Sequence, residues 1–269
     1  MATARELPLN LETTEKFVKL CASTFGWEDL SEDIVMDLGC GKGLHCARAL
    51  LENFPNVKSI IALDGNPKEL EGITFKSPRI TQVLADILKR RDIHQYEGKV
   101  DKVISTHVLH QISNKEKVFK NVYRLLYPGG EAAFLFTSDF GLYHVLNELR
   151  RDSRFKDYFK GSDIFELYSS ELKADNYREM LEKIGFKVIE IAEEKDDFSS
   201  DQFVVFERTL FNSVAKAFSV PSELVPEIND SASHLYRTKY LDQKSIYAAT
   251  EMSIFVTKPS DADTRCSSS

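Results

Sequence analysis

The sequence predicts an α/β fold: a seven-stranded, mostly parallel sheet with an antiparallel last strand and a helical cap. Three observations predict it. Short apolar runs of strand length alternate with stretches of helical apolar spacing from residue 34 to residue 137. The first strand runs into glycines at alternate positions, Gly39, Gly41 and Gly43, where the backbone can turn sharply and approach a ligand that a Cβ would block. The second strand, Ser59-Ile60-Ile61-Ala62-Leu63, ends on Asp64, the place at which a βαβ unit offers a carboxylate to the two hydroxyls of a ribose.

Taken in order, Leu11 to Phe25 reads as an amphipathic helix with Phe17, Val18, Leu20 and Cys21 buried. It serves either to pack before the first strand or to close over a ligand. Trp27, the sole tryptophan, is assigned to the core. Ile34-Val35-Met36-Asp37-Leu38 forms the first strand, and Leu44, Ala47, Leu50, Leu51 and Phe54 then follow helical spacing that stops before Pro55. Asp64-Gly65-Asn66-Pro67 is turn chemistry as well, with Asn66 as N-cap and Pro67 at the first position of a short helix toward Gly72. The third strand, Ile80 to Ala85, ends in Asp86-Ile87, where Asp86 can act as a cap or turn residue. The fourth, Lys102 to Thr106, opens onto His107-Val108-Leu109-His110-Gln111, on the side where strand ends face a ligand crevice. A helix carrying Val118, Phe119, Val122, Leu125 and Leu126, the turn Pro128-Gly129-Gly130 and a fifth strand from Glu131 to Thr137 come next.

Beyond this alternation, Phe140 to Phe159 reads as one aromatic-rich helix. Tyr177, Met180, Leu181 and Ile184 make a helical stripe stopped by Gly185, with a strand at 186–191. Residues 197–241 read as helical, with Phe203, Phe206, Leu210, Phe211, Val214 and Phe218 on or near one face. A last strand at 252–256 returns antiparallel to the strand at 186–191. The expected organisation is one domain over 1–258, with helical cap insertions around 139–180 and 197–241 and a polar, disordered tail at 259–269.

Composition bounds the function. A length of 269 residues with 42% hydrophobic content suits one large α/β domain, capped or not. A net charge of −7 argues against nucleic acid as a partner, and Lys89-Arg90-Arg91 reads as a solvated turn. Met1 to Asn10 lacks the pattern of a signal peptide, and the sequence has no apolar run long enough for a membrane span, so the protein is expected to be soluble and cytoplasmic. Cys21, Cys40, Cys46 and Cys266 have neither C-x-x-C spacing nor clustered histidines, which predicts free thiols and no metal site. Asn229-Asp230-Ser231 matches a glycosylation acceptor by chance. Oligomeric state leaves no trace in the sequence.

The glycine string is G-x-G-x-G with Asp37 two places before it, rather than the G-x-G-x-x-G of dinucleotide binders. It resembles the S-adenosylmethionine-dependent methyltransferases of the Rossmann-like class, in which no pyrophosphate needs cradling. Asp37 then either anchors the loop or reaches the cofactor's ammonium group through a water. Over residues 10–258 the chain also resembles the arthropod juvenile hormone acid O-methyltransferase family. That resemblance rests on Asp37-Leu38-Gly39-Cys40-Gly41, Leu109-His110, Lys117-Val118-Phe119-Lys120-Asn121-Val122-Tyr123 and Phe155-Lys156-Asp157-Tyr158-Phe159.

The resemblance implies cofactor contacts at Asp37, Gly39, Cys40, Gly41, Asp64, Gly65, Asp86 and Ile87, with Asp86 where this class grips the adenine amino group and Ser105 beside the sulfonium end. It implies an acceptor, a small apolar acid, at His110 and Gln111, with His107 and Glu12 nearby. Gln111 stands where the family has tryptophan, and Glu12 stands, by ungapped count, where it places a carboxylate-binding glutamine. A glutamine amide can donate to a carboxylate much as an indole does. A glutamate in a dry pocket would repel one. For a carboxylate acceptor no base is needed, and His110 and Gln111 would orient one oxygen while aromatics of 134–159 and 203–218 enclose an apolar tail. For an amine or hydroxyl acceptor, His107 or His110 becomes a candidate base, because imidazole ordinarily titrates near neutrality. For His107 the plain alternative is a strand-end residue. A carboxyl methyltransferase, a methyltransferase for another small acceptor and a non-catalytic cofactor-binding paralogue are the three functions open.

Overall fold

The computed structural model describes residues 9–160, 172–199, 203–240 and 245–260. Of the expected tail, residues 261–269 lie outside the described residues, as do Cys266 and the first eight residues. Seven strands make one sheet: β1 (Ile34–Leu38), β2 (Ser59–Asp64), β3 (Ile80–Leu84), β4 (Val100–Thr106), β5 (Leu126–Phe140), β6 (Lys187–Ser199) and β7 (Ser245–Thr257). Their order across the sheet is β3-β2-β1-β4-β5-β7-β6. The first five run parallel to one another. Gly129 N donates to Lys258 O at 2.9 Å and Lys258 N to Gly130 O at 2.8 Å, so the start of β5 lies beside the end of β7 and the last strand is antiparallel. The described helices are α1 (Leu9–Phe25), α2 (His45–Asn53), α3 (Pro67–Glu71), α4 (Arg90–Ile93), α5 (Lys115–Leu125), α6 (Gly141–Leu149), α7 (Ala174–Ile184), α8 (Phe203–Ala217) and α9 (Val225–Tyr240). None of them is long and apolar enough to cross a membrane.

The chain falls into two compact units. The first takes residues 1–136, 174–192 and 252–269 and holds most of the parallel sheet. Its β1 and β2 are near-continuous apolar runs because helices cover both faces of a parallel sheet. Phe17, Val18 and Cys21 of α1 join Val35, Leu50, Ile60, Ile104 and Phe255 in its core. Trp27 packs half-buried against that core, donates its indole N–H to Glu131 and carries the Lys102 ammonium 5.2 Å over its ring. Asn66 caps α3 by accepting from Lys68 N at 3.1 Å, and Asn114 caps α5 by accepting from Lys117 N at 3.0 Å.

The second unit takes residues 137–173 and 193–251. Leu142, Val145, Leu146, Leu149, Phe155, Leu210, Val214, Ile228 and Tyr236 form its core. The single helix expected from Phe140 to Phe159 stops at Leu149. Asp152 accepts from the backbone N and guanidinium of Arg154, closing a turn before the short 3₁₀ helix Lys156–Tyr158. The stretch expected to be helical from 197 shows helix from Phe203, because β6 runs on to Ser199, and it breaks after Ala217, with Pro221 leading a short 3₁₀ helix, Ser222–Leu224, before α9. Strand β6 outruns its apolar segment because it is a sheet edge, where Glu190, Glu193, Glu194 and Lys195 hide the strand pattern.

One polar residue interrupts the apolar centre of β1. Asp37 is 1% exposed, and its Oδ2 accepts from Ala47 N in the first turn of α2 at 3.0 Å. Burial pushes its pKa up to about 7, helped by the nearby Asp64 carboxylate and opposed by the Ala47 N–H. Between about pH 4, where an unfolded aspartate ionises, and pH 7 the folded chain therefore holds the extra proton. Stability falls as pH rises through that window. We expect Asp37→Asn to flatten the fall, which in the wild type is on the order of a few kcal/mol, in urea unfolding compared at pH 5 and pH 7.5.

Candidate cofactor and acceptor site

The C-terminal tips of β1, β2, β3 and β4 lie along one edge of the sheet, with Leu38 opposite Leu63 and Asp64 opposite Leu84. From Leu38 the chain enters the glycine loop. Gly39 N and Cys40 N both donate to Leu63 O, at 2.7 and 3.1 Å, and Gly41 N donates to Asp64 Oδ2 at 2.9 Å. Gly39 and Gly41 have φ of 77° and 56°, in the left-handed region. A Cβ on Gly39 would stand 2.9 Å from the Cβ of Val108 and closer still to its methyls. Leu44, wholly buried at φ 49°, then delivers the chain into α2. Lys42 N donates to Glu69 Oε2 at 3.1 Å, a tie from α3 to the loop that no motif announced.

The predicted cofactor residues fall around this loop in different ways. Asp37 anchors it from below through Ala47. Cys40 is buried within it, and burial pushes the thiol well above its ordinary pKa. Asp64 accepts from Gly41 N through one oxygen and from Asn66 N through the other, at 2.8 Å, so the turn and the carboxylate at the strand tip are the same group. Gly65 is exposed, and a Cβ there would lie an ordinary 3.6 Å from Ala85 O. Asp86 closes its own turn by accepting from Leu88 N at 2.9 Å, pairs with Lys89 at 3.1 Å and stays half-buried. Ile87 is buried. Ser105 is wholly buried too, and its hydroxyl donates to Leu38 O at 2.9 Å, so it fastens β4 to the start of the glycine loop.

The segment after β4 gathers the predicted acceptor residues. His107 has φ 57°, its N–H donates to Leu135 O at 2.7 Å, and its Nε2 lies 3.2 Å from Thr13 Oγ1 on α1. Burial, with a smaller effect of His45, lowers its pKa to about 4. His110 is lowered to about 3 by burial, then by His107 and Lys115. Burial thus favours the neutral form of both imidazoles, in contrast to the near-neutral titration of an imidazole in water. Gln111 is exposed and donates to His107 O at 3.2 Å.

Glu12 is not brought in. Its side chain is 68% exposed and paired with Lys16 one turn on, at 2.7 Å, which holds its carboxyl below the usual range. The repulsion expected of a glutamate in a dry pocket has no such pocket here, and Thr13 is the α1 residue that touches the site. The aromatics expected to enclose an apolar tail divide as well. Phe134, Phe136 and Phe155 are fully buried core, each within its own unit, and the side chain of Phe203 lies outside the described residues.

Sequence reasoning missed Lys115, which is 6% exposed at the start of α5. Its ammonium donates to Ile112 O at 3.1 Å, and burial lowers its pKa. A lysine in a run of surface-type residues gives no sequence signal of burial. Thr13 and Val108 were missed for a similar reason, since each lies in an otherwise ordinary amphipathic or apolar stretch.

A family model described as a methyltransferase domain matches residues 12–191. The chain is 26% identical over 182 residues to the juvenile hormone acid O-methyltransferase of Drosophila melanogaster, covering 61% of this chain and 58% of that protein. It is 21% identical over 214 residues to the enzyme of the same name from Bombyx mori, covering 77% and 74%. The chain thus spans less than two thirds of the Drosophila relative. Among solved structures it is similar to a Bacillus halodurans methyltransferase, with a TM-score of 0.59 and 17% identity over 93% of this chain and 100% of that one, a likeness of fold alone. With more than half of its length matched by the family model, and with this sheet and glycine loop, the chain belongs to the methyltransferase-domain family, in its Rossmann-like, S-adenosylmethionine-dependent class.

Proposed function

We propose that this methyltransferase esterifies the carboxylate of a small apolar acid of the farnesoic acid or juvenile hormone acid type. The arrangement that supports the reading is a pair of histidines shielded from water after β4, with the buried Lys115 near them. His107 and His110, the histidines after β4, are held at about 4 and 3, too weakly basic to take a proton from an ammonium or hydroxyl acceptor. A carboxylate needs no such help, because its oxygen is already a nucleophile and needs only orientation and removal of water. The buried Lys115 ammonium, near enough to His110 to lower its basicity, adds positive potential suited to an anion. The names of the two insect relatives, both acid O-methyltransferases, support the same direction.

The residues present fit the cofactor. Gly39 stands where a Cβ would collide with Val108, Gly41 takes a left-handed φ, and each Asp64 oxygen that accepts one N–H keeps a lone pair for a ribose hydroxyl. Asp86 would take the adenine amino group beside Ile87. Cys40 and Gly65 would contribute backbone, with Ser105 fixing the loop from behind. S-adenosylmethionine, when bound, would supply an electrophilic methyl group for transfer, and a carboxylate acceptor would have no proton to give up. His110 and Gln111 would donate to the other carboxylate oxygen, and His107, fixed by Thr13 and Leu135, sets the path of that segment.

Purified wild-type chain with labelled S-adenosylmethionine and farnesoic acid is expected to yield the methyl ester. Cofactor binding without ester, alongside methylation of an amine or hydroxyl acceptor, would remove the carboxylate reading. Asp64→Ala is expected to weaken S-adenosylhomocysteine binding by about tenfold or more in calorimetry, since two ribose hydrogen bonds go. His110→Gln should lower kcat/KM for the acid by about tenfold, the worth of one hydrogen bond. A loss of about a thousandfold or more would instead mark it as a general base.

A further inference from the structure

Asn121 is a polar residue in the middle of α5 that the proposed chemistry leaves without a role. It is 1% exposed. Its Nδ2 donates to Ile87 O at 2.6 Å and its Oδ1 accepts from Arg124 Nη1 at 2.8 Å. The orientation of the amide follows from its partners: a carbonyl can only accept and a guanidinium can only donate.

The loop that Asn121 grips is the one carrying Asp86. That loop is otherwise tied by Lys89 N to Asp86 O at 2.8 Å, by Leu88 N to Asp86 Oδ1 at 2.9 Å and by Asp86 N to Asp92 Oδ2 at 3.3 Å. These bonds lie within residues 86–92 and shape the loop, while just before it Ala85 N donates to Asp64 O at 3.1 Å and ties the chain to β2. The Ile87 carbonyl is where the loop is bound to α5, while the Ile87 side chain is buried. Fixing Ile87 on both counts fixes where its neighbour Asp86 stands at the sheet edge.

We propose that Asn121 is a positioning residue for the cofactor, holding the Ile87 carbonyl so that the Asp86 carboxylate faces the adenine end of the site. This rests on the reading of Asp86 as a cofactor contact. The amide acts on binding through Asp86 and has no part in the transfer step.

The test is a double-mutant cycle read by calorimetry with S-adenosylhomocysteine. Asn121→Asp keeps the Arg124 contact but sets a carboxylate against the Ile87 carbonyl. It is expected to raise Kd about tenfold in the wild-type background and less than about twofold on Asp86→Ala, because two residues acting through one contact are not additive. The KM for S-adenosylmethionine should rise with kcat retained. Equal effects in both backgrounds, or a fall in kcat at unchanged KM, would overturn the proposal. If Asn121→Asp does not fold, the exposed Arg124→Met, which frees the amide from its second partner, is expected to show the same dependence on Asp86 at about threefold. A wild type that binds the ligand while Asp86→Ala costs nothing would remove the premise about Asp86. A wild type that binds none would remove the cofactor reading itself.

Discussion

Two acceptors at the end of β2, the carbonyl of Leu63 and the carboxylate of Asp64, hold the loop that leaves β1. Between them they take the N–H groups of Gly39, Cys40 and Gly41. Backbone donors so satisfied need no side-chain caps, which leaves glycine free to occupy the closest approach to Val108. The same arrangement explains the polar residue in β1. Asp37 reaches from the strand to Ala47 N at the head of α2, so the helix is hung from the strand at one end of the loop while β2 holds the other. Loop, strand and helix are thus tied together at both ends of the loop.

Burial decides the chemistry as much as geometry does. The same lack of solvent that lifts Asp37 to about 7 drops His107 to about 4 and His110 to about 3. Groups with ordinary values near 4 and 6.5 thus exchange order. Burial favours the neutral form of both imidazoles. Backbone strain contributes to their placement: His107 is a non-glycine residue in the left-handed region, at a cost of roughly 1–3 kcal/mol. That cost is borne by the Leu135 and Thr13 contacts that over-determine its position.

The parallel half of the sheet was legible because strands buried on both faces are written as unbroken apolar runs, as in Ile34-Val35-Met36 and Ile60-Ile61-Ala62-Leu63. The glycine string, Asp64 and the Asn66 cap were legible because each answers a local backbone need. What resisted reading was tertiary. Phe155 has the spacing of a helix continuing from Phe140, yet it is placed by the core of the second unit and reached through a turn that Asp152 closes. Glu12 was put in the site by counting, and helix geometry turned it one residue away, leaving Thr13 to face His107. Lys115 has a sequence neighbourhood typical of surface, and only packing shows that it is buried.

The fold alone does not choose the acceptor, since a Rossmann-like sheet with this loop can serve many substrates. The choice falls to the segment after β4, and there the chain departs from the family it resembles. An exposed glutamine amide stands where an aromatic donor is expected, but it is tethered to the His107 carbonyl, so its freedom is that of the segment. A buried lysine stands close enough to His110 to depress its basicity. On the proposed reading, neutral donors backed by the buried Lys115 suit an anionic oxygen better than a cationic nitrogen, which a like charge would repel. Selectivity, on that reading, is an electrostatic property of one short segment, set by which of its groups are kept from water.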